Sequence, residues 1–108
     1  MSNFEKLKTF EPLPSNVTIK KSRIHGLGLF AKSNICSDSV LGVTHVKDKR
    51  FSHGYIRTPL GGFVNHSEDP NCVKVFEEEQ WGKIYHMRTI KPIKKDEELF
   101  LKYTFYNV

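Results

Sequence analysis

Gly61-Gly62-Phe63-Val64-Asn65-His66-Ser67-Glu68-Asp69-Pro70-Asn71-Cys72 is the stretch on which the reading of this chain turns. Two glycines and two apolar residues lead into a cluster of amide, imidazole and hydroxyl groups. Asp69-Pro70-Asn71 then closes the segment as a turn. Phe63 and Val64 suggest a buried lead-in, which places Asn65 and His66 near the core and not at a loop tip. Polar groups held there need hydrogen-bond partners, and a polar ligand is one candidate. Taken alone, the segment could equally be a structural turn.

Two further segments flank it. Upstream, Ile24-His25-Gly26-Leu27-Gly28-Leu29-Phe30-Ala31 carries two glycines one residue apart. Glycine admits close backbone approach and backbone angles closed to other residues. No third glycine opens a helix and no βαβ pattern follows, so this is not a dinucleotide fingerprint. Downstream, Pro92 breaks the chain and Lys94 to Asp96 turns it. Glu98 to Tyr103 then reads as a strand with Leu99, Leu101 and Tyr103 on one face, ahead of Thr104-Phe105-Tyr106.

Between these segments the pattern is that of short strands with no long amphipathic helix. Strands are expected at Val17–Lys21, around Leu29–Ala31 and at Val40–Val46. Lys47 to Leu60 loses the pattern and reads as a polar loop or short helical insert. Val73–Glu78 and Lys83–Thr89 flank Glu79-Gln80-Trp81-Gly82 and form a hairpin, with Gly82 supplying the turn. Residues 1–16, with Pro12 and Pro14, read as an arm leading into one domain of residues 17–108.

Composition narrows the function classes. A chain of 108 residues, 38% hydrophobic and 27% charged, is a single ordered domain by expectation. No apolar run approaches a membrane span and the N-terminus lacks a secretory signal, so an intracellular protein, cytoplasmic or nuclear, is expected. Cys36 and Cys72, with histidines at 25, 45, 53, 66 and 86, show neither CxxC nor HxxxH spacing, and no metal site is expected. The net charge of +5 comes from lysines scattered in twos and threes. A solvated basic surface is the favoured reading, and nucleic acid is not the expected partner.

In their order along the chain, the GxG, the NHSxxPN segment and the terminal turn, strand and tyrosine resemble the SET domain family of protein lysine methyltransferases. The resemblance spans about residues 17 to 106. It implies a mostly β fold, the β-clip, made of several small curled sheets with few short helices and a threaded C-terminal pseudoknot. It implies S-adenosylmethionine as cofactor, met by His25, Gly26, Leu27, Gly28, Asn65, His66 and Tyr103. Tyr103 matches the family's catalytic tyrosine, and the substrate implied is a protein or peptide carrying a lysine. Two departures stand out. Asp96 replaces the usual glycine of the turn, and Thr104-Phe105-Tyr106 follows the tyrosine, which makes Phe105 and Tyr106 the candidates for the lysine channel. A homodimer is expected, because a minimal domain leaves apolar edges of its groove to be covered. The rival reading is a SET-fold module that binds peptide or cofactor without turnover.

Overall fold

A computed structural model describes residues 13–50, 54–80 and 82–103. Strands carry the architecture, as expected, and they form two sheets of four. In the first sheet, β1 (Val17–Lys21), β2 (Leu27–Ala31), β8 (Glu98–Leu101) and β5 (Asn65–His66) lie side by side in that order. In the second, the order is β4 (Tyr55–Arg57), β3 (Val40–Lys47), β7 (Gly82–Thr89) and β6 (Cys72–Glu79). A single short helix, α1 (Pro59–Phe63), leads into β5 among the described residues.

The first sheet explains how distant segments come together. Strand β8 runs antiparallel to β2, with Leu29 opposite Leu99, and parallel to β5, with Asn65 opposite Phe100. The last strand of the described chain thus lies between two segments that precede it by some thirty and seventy residues. Alternation then sorts the side chains. Leu29, Ala31, Leu99 and Leu101 face inward and meet Leu41, Cys72 and Met87 of the second sheet. Leu60 and Val64, from α1 and its C-terminal end, fill the same core.

The hairpin of β6 and β7 forms as the sequence suggested, in unbroken register from Cys72–Thr89 to Glu79–Gly82. The insert after Lys47 holds more order than expected. Strand β4 pairs with the end of β3, and Thr58 caps α1, its hydroxyl accepting from the Gly61 amide while donating to the Val43 carbonyl at 2.6 Å. Three strand residues and a five-residue helix with two glycines are too short to show periodicity.

Gly61 is fixed by packing. A Cβ there would overlap the Thr44 carbonyl oxygen, a backbone atom that cannot swing aside. Gly61→Ala is therefore expected to lower stability by about 1–3 kcal/mol, read as a fall in denaturant midpoint at unchanged slope. Gly62, with open space around it, should tolerate alanine far better.

Asp96, standing where the family has glycine, adopts φ of +72° in the turn before β8. Aspartate is one of the few residues that enter this region readily, so the turn keeps its shape. The Glu97 amide closes it on the Lys94 carbonyl. Of the arm expected at residues 1–16, all but the last four residues lie outside those described.

Candidate active site at the junction of three segments

Asn65 is the junction. It is buried, and its side-chain amide donates to the backbone carbonyls of His25 and Leu27 at 3.2 and 3.1 Å and to Glu98 Oε2 at 2.9 Å. One amide thereby ties the GxG segment to the central motif and to β8. Glu98 is held from its other oxygen by the Ser22 hydroxyl at 2.8 Å. Gly28 is glycine because this knot is tight: a Cβ would run into the Glu98 carboxylate and crowd the Asn65 amide. Gly26 has the opposite reason. Its φ is +46° and the space where a Cβ would stand is open.

The rest of the motif locks the same strand. The Asn71 side chain donates to the Glu98 carbonyl and accepts from the Phe100 amide, at 2.9 and 2.8 Å, mimicking a neighbouring strand. The Ser67 hydroxyl accepts from the Asp69 amide and shapes the turn between them. Asn65 and Asn71 therefore hold the C-terminal strand through their side chains, and Ser67 through its backbone amide, which donates to the Leu101 carbonyl.

His66 and Tyr103 form the second half of the site. The Tyr103 amide donates to His66 Nδ1 at 2.8 Å, so that nitrogen carries no proton. The ring proton of the neutral form sits on Nε2, which faces Glu68 Oε1 at 3.2 Å. His66 and then Lys102 hold the Glu68 carboxyl below the usual carboxylate range. The Tyr103 ring lies 5.1 Å from the imidazole, centroid to centroid. Its hydroxyl donates to the Val64 carbonyl at 2.6 Å, so what the phenol oxygen offers a ligand is a lone pair. Strand β8 ends at Leu101, and Tyr103 stands beyond it instead of continuing its alternation.

The structure thus gathers His25, Gly26, Leu27, Gly28, Asn65, His66 and Tyr103 within one connected set of bonds. His25 and Leu27 are exposed at the surface of the turn, beside exposed Ile24. Phe105 and Tyr106 lie outside the described residues, as does His53. Sequence reasoning missed Glu98, which accepts from the Asn65 amide, and Ser22, which holds Glu98 from its other oxygen. A carboxylate two residues after a turn gave no sign that it would fold inward.

Two other groups are chemically silent near neutrality. Burial pushes the Cys72 thiol up to about 12, which removes it as a nucleophile. His45, buried in β3, is pushed from 6.5 down to about 4 by burial, with Lys74 and Arg57 adding repulsion. A folded-state pKa below the unfolded one gives stability that is complete above about pH 6.5 and drains away as the pH falls towards 4. The protein is expected to be about 2 kcal/mol less stable at pH 5 than at pH 7, with His45→Gln flattening that part of the profile. Urea unfolding at the two pH values measures it.

Comparison with known proteins joins this geometry to a family. A SET domain family model matches residues 45–104, more than half of the chain. The chain belongs to the SET domain family. The matched span contains Asn65, His66 and Tyr103, while the GxG segment that Asn65 grips lies upstream of it. No curated protein matches the chain. Among solved structures, a candidate histone methyltransferase of Plasmodium falciparum is 20% identical, with a TM-score of 0.68 over 82% of this chain and 93% of that one. A humanized mutant of Chaetomium thermophilum Polycomb Repressive Complex 2, bound to the inhibitor GSK126, is 23% identical, with a TM-score of 0.71 over 83% of this SET domain. The apo form of that complex, carrying two mutations, is 20% identical, with a TM-score of 0.67. This SET domain spans only 15% of the chain that it matches in either polycomb structure. Identities this low establish the fold they share.

Proposed function

We propose that this SET domain binds S-adenosylmethionine and transfers its methyl group to the ε-amine of a lysine on another protein. The observation that carries the reading is the Asn65 junction, which ties an open glycine turn to the strand on which the next residue, His66, pairs with the Tyr103 phenol. The residues suit such a cofactor. Gly26 leaves space on its open side, Ile24 and Leu27 offer exposed apolar surface to a base, and Tyr103 offers a lone pair. Bound there, S-adenosylmethionine would supply a methyl group on a positively charged sulfur.

The protein's own part is positioning. A lysine at its ordinary pKa of about 10.4 is neutral in only about four molecules in ten thousand at pH 7. An apolar channel disfavours the ammonium and raises that fraction. The Tyr103 oxygen, its own proton committed to the Val64 carbonyl, accepts a hydrogen bond from the amine and turns the nitrogen lone pair toward the methyl. Fixing that alignment is the entropic share of catalysis. His66 keeps Tyr103 in place by accepting from its backbone amide.

The bonds of the motif also favour one rival, because they would hold the fold together in a module without turnover. Calorimetric titration tests the first step. One S-adenosylmethionine per chain is expected to bind, with a rise in melting temperature. An absence of both binding heat and thermal shift at millimolar cofactor would overturn the proposal.

A further inference from the structure

Glu98 is a half-buried carboxylate whose oxygens are both held by neutral donors. The Ser22 hydroxyl donates to Oε1 at 2.8 Å and the Asn65 amide to Oε2 at 2.9 Å. Among the described residues no cation pairs with it. Lys20 turns instead to Asp96, at 3.5 Å. Arg23 shares with Glu98 the lining of a cavity of about 380 Å³, but Arg23 is exposed and water screens its charge.

This carboxylate stands directly against the GxG turn, where a Cβ on Gly28 would meet its Oε2. Ile24, Phe30 and Phe100 give the cavity apolar walls, and Asp96 and Glu97 line it as well. Burial strips water from a carboxylate, and neutral donors restore its hydrogen bonds without cancelling its charge. The charge is left for a ligand at the turn to compensate.

We propose that Glu98 is a specificity-determining residue, whose charge adds affinity for S-adenosylmethionine that the demethylated by-product, S-adenosylhomocysteine, does not share. The inference rests on the cofactor reading above. The two molecules have the same adenosine and amino-acid ends and differ at sulfur. In the transfer, the lysine ammonium first gives one proton to solvent. Its lone pair then forms the carbon–nitrogen bond, and the electrons of the broken carbon–sulfur bond stay on sulfur. The sulfonium thereby becomes a neutral thioether, and its attraction to Glu98 is gone. The carboxylate thus holds the cofactor before transfer and favours exchange of the by-product after it. Two unit charges about 12 Å apart at an effective dielectric of about 20 attract by about tenfold in affinity, so direct contact is not required.

Calorimetric titration of both molecules into the parent and three variants tests this. Glu98→Gln keeps the length of the side chain and an oxygen for the Asn65 amide, and removes the charge. Any loosening of the turn weakens both ligands and cancels in the ratio of their affinities. That ratio, cofactor over by-product, should fall about tenfold from the parent value. Glu98→Asp keeps the charge and loses the reach to Ser22 and Asn65, so both ligands should weaken together with the ratio kept. Glu97→Gln removes an exposed carboxylate from the same cavity and should leave the ratio within about twofold of the parent. A Glu98→Gln ratio equal to that of the parent would overturn the proposal. So would a Glu98→Asp ratio that falls as far as expected for Glu98→Gln, since the position and not the charge would then decide. A parent chain that binds neither molecule would overturn the cofactor reading itself, and this proposal with it.

Discussion

Tyr103→Phe should slow methyl transfer on the order of a hundredfold, about 2.7 kcal/mol of barrier, while the fold stays intact. The substitution keeps the ring that packs 5.1 Å from His66 and removes only the hydroxyl. Two interactions go with that oxygen. Its hydrogen bond to the Val64 carbonyl contributes about 1 kcal/mol to stability, a small shift in melting temperature. Its acceptor role toward the lysine amine is expected to matter only as the reaction proceeds, so turnover carries the larger loss. Cofactor affinity should change far less, because Asn65 and the GxG turn are untouched. Single-turnover kinetics with a lysine substrate separate these terms. A variant with the parent rate would leave Tyr103 as a core-packing residue whose hydroxyl satisfies a carbonyl.

Asn65→Ala is expected to have the larger effect on the fold. It removes one hydrogen bond to the Glu98 carboxylate and two to the carbonyls of His25 and Leu27. The amide has two protons for these three acceptors, so they amount to about one bond to a charged group, about 1.5–3 kcal/mol, and one neutral bond, about 0.5–1.5, and a loss of about 2–4 kcal/mol follows. The half-buried Glu98 would keep Ser22 as its remaining partner. With the GxG turn released, affinity for S-adenosylmethionine should also fall, by about tenfold or more, at temperatures where the variant is still folded. His66→Ala makes the informative comparison. It removes one acceptor, for the Tyr103 amide, and should cost about 1 kcal/mol of stability while still weakening cofactor binding. His45→Ala is not the silent control that its distance from the motif suggests. His45 is 3% exposed, and its Nδ1 is bonded to the Thr44 hydroxyl, so alanine there opens the core. Equal affinity in the Asn65 and His66 variants and in the parent would remove both residues from the site.

How much of this was legible in the sequence varies by segment. The three motifs, through their resemblance to the SET domain family, pointed to the fold class and put Asn65, His66 and Tyr103 together. The β6–β7 hairpin was legible from alternation and a glycine turn. Strand β4 was not, and the short helix was only one of two readings for its region, since neither is long enough to show a period. The reasons behind individual residues were also hidden. Gly28 looked like a place for a ligand to approach, but the near neighbours of its missing side chain are Glu98 and Asn65. Gly61 read only as one of two glycines leading into the polar cluster, and it is pinned against the Thr44 carbonyl. Both contacts join residues far apart in the sequence, and only the folded chain sets their distance.

The central claim is that a lysine on another protein is methylated at the Tyr103 site. The most direct measurement is transfer of labelled methyl from S-adenosylmethionine into proteins of a source-cell lysate by the purified chain, read by lysine-resolved mass spectrometry. Label on lysine ε-amines, at least about a hundredfold slower with Tyr103→Phe, is the predicted result. A chain that binds the cofactor yet labels no lysine, or labels it equally fast without the Tyr103 hydroxyl, would contradict the account.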